Sequence, residues 1–161
     1  MQGKTVKESQ ITMAVQMNPE DANPVGNVHG GVIMKYIDTA AGAVAIRHAR
    51  KICVTASIDR LDFHHPVYIG DLVTLRASIT MVGRTSMEVG VRVEAENLLT
   101  GKVRHTASAY LTFVAFDEKG LPAQVPPLIL ETDEENRRNC EAQVRRQVRL
   151  SQKDREDVCA T

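Results

Sequence analysis

The sequence predicts an α+β domain in which one long helix packs against an antiparallel sheet, and three patterns carry that prediction. After Gly30–Gly31 the apolar residues recur at helical spacing. Four later runs alternate apolar and polar residues at period two, and the spacers between the last three are hairpin-short. A single helix beside a continuous antiparallel sheet belongs on one face of it. The 161 residues suit one compact unit.

Residues 10–17 open the order, with Ile11, Met13, Val15 and Met17 on one side and Thr12, Ala14 and Gln16 on the other, a strand with one buried face. Segment 18–28, NPEDANPVGNV, holds two prolines, three asparagines and a glycine, and reads as a loop. Val32, Ile33, Tyr36, Ile37, Ala40, Ala41, Val44, Ala45 and His48 then repeat to about residue 49. The polar positions Lys35, Asp38, Thr39 and Arg47 are few, so a long, mostly buried helix is predicted.

The first alternating run is Ile52, Val54, Ala56 and Ile58, and the second is Val73, Leu75, Ala77, Ile79 and Met81. Met87, Val89, Val91, Val93 and Ala95 form the third, with Glu88, Arg92, Glu94 and Glu96 on its other side. The fourth runs through Val103, His105, Ala107, Ala109, Leu111, Phe113 and Ala115. Beyond Pro122, Pro126 and Pro127 a charged segment carries Arg137, Arg138, Arg145, Arg146 and Arg149. The chain therefore divides into a domain over 1–130 and a charged C-terminal helix or tail over 131–161.

Charge excludes some partners. Lys+Arg 20 against Asp+Glu 20 gives a net charge of zero, without the basic field that nucleic acid or an anionic membrane surface selects. No apolar run approaches the ~18 residues of a membrane span. Cys53, Cys140 and Cys159 are odd in number with no CxxC, which argues for ordinary thiols in a reducing compartment. MQGKTVKESQ has no apolar stretch after its charges, so a cytoplasmic protein is expected.

The chemistry concentrates in GNVHGGVIMKYIDTAAG, Gly26 to Gly42. Asn27 and His29 precede a helix that opens on Gly30 and Gly31, whose amides a ligand carbonyl can approach closely. Such amides suit an oxyanion, and they equally suit a plain glycine-rich turn. Asp38 stands among apolar helix residues, either as a base for water, as a residue facing a wet groove, or as an ion-pair partner of Lys35. His64–His65 before Pro66 are either groove-lining or turn residues. The turn Val82-Gly83-Arg84-Thr85-Ser86 offers groups that suit a phosphate. No HExxH, GxSxG or phosphate loop is present, so no metal site is expected.

GNVHGGVIMKYIDTAAG, followed by VTASIDRLDFHHPVYIGD, GRTSMEVGVRVEAENLLTG and ASAYLTFVA, resembles the hotdog-fold acyl-CoA thioester hydrolases of the cytosolic, broad-specificity type, over roughly residues 8–128. The resemblance implies a hotdog fold, subunits paired edge to edge, hexamers built as trimers of dimers, and active sites at the dimer interface. It implies hydrolysis of fatty acyl-CoA to free acid and CoA by direct water attack, with no cofactor beyond the coenzyme A moiety of the substrate.

By the same resemblance Asp38 activates the water, Asn27 positions water or substrate, and the Gly31 amide holds the thioester oxygen, with His29 and Gly30 beside them. Arg84, Thr85 and Ser86, and more weakly Arg60, are implied at the nucleotide end of coenzyme A. Two alternatives stay open: a non-catalytic acyl-CoA sensor, and a hotdog dehydratase or hydratase.

Overall fold

A computed structural model describes residues 1–159, with side chains through residue 153; Ala160, Thr161 and the Cys159 thiol lie outside the described residues. Strands β2 (Ile11–Gln16), β3 (Ile52–Phe63), β4 (Leu72–Val82), β5 (Ser86–Asn97) and β6 (Lys102–Phe116) form one antiparallel sheet in the order β2-β4-β5-β6-β3. Helix α2 (Gly30–Ala49) lies on one face. Its Ile33, Ile37, Ala40, Ala41, Val44 and Ala45 bury against Val73, Leu75, Ile79, Val89, Leu111 and their neighbours. The small side chains bring the helix close to the sheet: a Cβ on Gly42 would stand 3.6 Å from the Phe113 ring.

The helix is buried on one side only. Met34, Asp38 and Ile46 are exposed, so the expected long, mostly buried helix keeps an open stripe. Sheet coverage ends at β3, an edge strand in this chain.

Strand β3 also departs from its simple alternation. Its register against β6 shifts between Thr55 and Ser57 and again between Ile58 and Arg60. Each shift leaves an extra residue and turns the following side chains over. Opposed residues of an antiparallel pair share a face. Thr55, opposite Phe113, Ile58, opposite Leu111, and Phe63, opposite Ala107, therefore face α2, while Ile52 and Val54 lie on the other side. The predicted inward set of Ile52, Val54, Ala56 and Ile58 is thus split by a bulge, and all four are exposed.

The outer face of the sheet is not left fully open to solvent. Helix α3 (Asp133–Cys159) covers part of it, so Glu88, expected on the solvent side of its strand, is fully buried. At the opposite end a short α1 (Val6–Ser9) follows β1 (Lys4–Thr5), which pairs in parallel with β7 (Leu128–Ile129). Lys4 Nζ donates to His48 O at 2.7 Å, tying this corner to the end of α2. Among the described residues no helix is long and apolar enough to cross a membrane.

Candidate active site

Three segments meet at the start of α2. Asn23 N donates to Asn27 O at 2.7 Å, and Asn27 N returns a bond to Asn23 Oδ1 at 3.1 Å. Val28 N donates to Val67 O at 2.8 Å, and Asn27 bridges to Tyr68, lacing this loop to the segment after β3. Asn23, Asn27, Gly30, Phe63, His64 and His65 line a cleft of about 280 Å³ with an apolar floor that includes Ile33 and Val67. The buried Asp71 anchors the second loop: its Oδ2 accepts from Tyr68 N at 2.8 Å and from Arg104 Nη2 at 2.5 Å.

His29 is the N-cap of α2. Its Nδ1 accepts from Gly31 N at 2.9 Å, capping the first turn. The Gly31 amide, implied as the holder of a substrate oxygen, is thus already engaged. The Gly30 amide donates no hydrogen bond among the described residues, and a Cβ there would stand 3.6 Å from the Phe63 ring. It is the open donor at this helix terminus.

Asp38 is elsewhere. It lies eight residues into the helix, about 12 Å along the axis from Gly30. Thr55 Oγ1 donates to its Oδ1 at 2.5 Å, and no ion pair with Lys35 forms. That bond uses one carboxylate oxygen of an exposed side chain. Thr55 escaped the sequence reading because a threonine in a β-branched strand is unremarkable, and only the register against Phe113 aims it at Asp38.

The Arg84-Thr85-Ser86 turn joins β4 to β5 as expected, closed by Gly83 N to Ser86 O at 2.8 Å and by Ala115 N to Thr85 O at 2.9 Å. Ser86 pairs with Val114, which also pairs with Val54, so this turn and Thr55 share one end of the sheet. Phe63 and the asparagine cleft lie at the other end, about 20 Å away along β6. Arg60 joins neither group; its exposed guanidinium pairs with Asp62 at 2.5 Å. Within one chain the Asp38–Thr55 pair and the asparagine cleft are therefore two separate groups.

Among the described residues no three His, Cys, Asp or Glu side chains are placed to share a metal ion. Burial pushes the Cys53 thiol up to about 11, the reverse of what a reactive thiolate needs.

Comparison with known proteins gives this geometry its class. Residues 25–102 match the Thioesterase superfamily. The chain is 43% identical over 129 residues to an uncharacterised acyl-CoA thioester hydrolase of Bacillus subtilis, spanning 80% of this chain and 75% of that one. It is 38% identical to the cytosolic acyl coenzyme A thioester hydrolase of Rattus norvegicus, of whose length it spans 36%. A crystallised apo-hexameric acyl-CoA thioesterase superposes with a TM-score of 0.91 at 40% identity, over 94% of this chain and 97% of that one. An acyl-CoA hydrolase of Staphylococcus aureus, solved with butyryl coenzyme A, coenzyme A and coenzyme A disulfide, superposes at 0.89 with 33% identity, over 97% and 95%. That hydrolase was also solved with an aspartate, an asparagine or a threonine replaced by alanine.

The fold is that of a hotdog thioesterase. The chain belongs to the acyl-CoA thioester hydrolase family, and it is an enzyme of that hydrolase class.

Proposed function

We propose that this chain hydrolyses fatty acyl-CoA to free acid and CoA by Asp38-assisted attack of water, at a site completed by a second copy. The observation that carries the reading is the Thr55–Asp38 hydrogen bond on an uncovered flank, held apart from the asparagine cleft of the same chain. Strand β3 ends the sheet with a free edge, and Ile52, Val54 and Ile58 are exposed along it. A second β3 pairing there would extend the sheet and bring one chain's Asp38 beside the other's cleft. Relatives that crystallise as hexamers support assembly of such dimers into a trimer.

In the reaction, Asp38 Oδ2 takes a proton from water as the water oxygen bonds to the thioester carbon. The carbonyl oxygen gathers charge within reach of the Gly30 amide at the helix N-terminus of the second copy. Collapse breaks the C–S bond, and the protonated Asp38 returns its proton to the departing sulfur. Arg84, Thr85 and Ser86 lie at the Asp38 end of the sheet, where the phosphates of coenzyme A would meet a guanidinium and two hydroxyls.

The asparagine has two candidates. Asn27 is the residue implied by the family motif. Asn23 is favoured by spacing: in the Staphylococcus aureus hydrolase the replaced aspartate lies fifteen residues after the replaced asparagine, and the replaced threonine seventeen after that. Asn23, Asp38 and Thr55 have those separations here.

Mixing variants tests the shared site. Asp38→Asn and Asn23→Ala chains, each inactive alone, should regain about a quarter of wild-type thiol release when unfolded and refolded together, because half the dimers carry one intact site. The same mixture with Asn27→Ala identifies which asparagine acts. No recovery with either would overturn the shared site.

A further inference from the structure

The arginine-rich segment, which the hydrolytic site does not use, crosses the outer face of the sheet strand by strand. Arg138 Nη1 donates to Ser78 Oγ at 3.0 Å and Asn139 Nδ2 to Thr80 O at 2.8 Å, both on β4. Arg145 Nη2 donates to the buried Glu88 of β5 at 2.8 Å, and its guanidinium stacks 3.6 Å above the ring of Tyr110 on β6. Arg149 Nη1 donates to Asp59 Oδ2 of β3 at 2.5 Å. From Arg138 to Arg149 the helix rises about 16 Å, close to the roughly 14 Å of three strand spacings. The helix thus spans the sheet from β4 to its free-edged strand.

The last contact lands on a particular residue. Asp59 is the extra residue of the second β3 bulge, lying between Ile58, opposite Leu111, and Arg60, opposite Tyr110. Its side chain is turned toward α3 and largely buried, against an arginine that is itself mostly covered. If Asp59 entered the ladder, residues 52–58 would slip by one, and a slip of one residue turns every side chain to the opposite face. Thr55 would then face away from Asp38.

We propose that Arg149 is a positioning residue for the hydrolytic site: by holding Asp59 in the bulge it fixes the β3 register that presents Thr55 Oγ1 to Asp38. Arg149 touches neither substrate nor water, and acts through Asp59 and Thr55. This inference rests on the reading of Asp38 given above.

The test compares Arg149→Ala with Arg146→Ala, which removes the same charge from an exposed position of the same helix. Arg149→Ala should lower kcat about ten- to a hundredfold with KM little changed, as expected for a small misplacement of a catalytic group. Arg149→Lys should recover part of that loss, and Arg146→Ala should match wild type. Amide hydrogen exchange is read on the same samples: exchange over 55–62 should quicken in Arg149→Ala alone, with α2 and β5 protected as in wild type. Wild-type kcat in Arg149→Ala, or unchanged exchange in β3, would overturn the clamp. The exchange readout is independent of hydrolysis, so a wild-type protein that releases no thiol would refute the proposed activity and still leave the clamp tested.

Discussion

Thr55 Oγ1 and Asp38 Oδ1 stand 2.5 Å apart, joining the edge strand of the sheet to the middle of the central helix. The hydroxyl orients the carboxylate and occupies one of its oxygens; in the proposed reaction the other is left for water. Asp38 is exposed in the single chain, so the proposed role as a base relies on the second copy proposed to cover it.

Removing that hydroxyl tests its role. Thr55→Val keeps shape and β-branching but loses the donor, and should lower kcat about tenfold or more, since an unoriented catalytic group loses much of its effective concentration. Thr55→Ser should retain most of the rate. Steady-state kinetics on the two variants separates loss of the hydroxyl from loss of the methyl.

Glu88 supplies a stability prediction. It is fully buried, accepting from Thr80 Oγ1 at 2.6 Å and from Arg145. Arg145→Ala strands a buried carboxylate and should cost about 3–5 kcal/mol in denaturant unfolding. Arg146→Ala should cost almost nothing. Replacing Glu88 and Arg145 together with apolar residues should recover much of the loss.

The histidine at the end of α2 sets a pH dependence. His48 is buried, with Nε2 donating to Pro126 O at 3.0 Å, and burial holds its pKa below the ordinary value. Below about 6.5 the unfolded chain takes up a proton that the folded chain refuses, so stability falls as pH drops through that range. Glu94 acts further down. Hydrogen bonds from Arg76 and Arg92 hold it below its ordinary value, so its contribution fades only under 4.5. Thermal melts from pH 8 to 5 should show the first loss, and His48→Gln should flatten it.

Much of this arrangement is legible in the sequence, and the exceptions have physical causes. The period of apolar residues identifies α2 and all five long strands, because α2, β2, β4, β5 and β6 each turn a repeating face inward and β3 keeps the alternation although its apolar set is exposed. The facing of β3 is not legible, since a bulge is a property of the pairing with β6 and leaves no mark on the alternation itself. Thr55 is hidden for the same reason. The docking of α3 is hidden because its buried contacts are made by arginines, whose charge reads as a solvated face until Glu88 and Asp59 are found beneath them. Asn23 and Asn27 share one loop and one cleft, so residue type alone does not separate them.

The most direct test is release of free thiol from acyl-CoAs of graded chain length, wild type beside Asp38→Asn. The exchange is isosteric and lies on an exposed face, so folding and coenzyme A binding should persist. Wild type should release thiol, and the variant should be slower by about 10²–10⁴-fold, the usual cost of a lost general base. Near-wild-type turnover in Asp38→Asn would contradict the account.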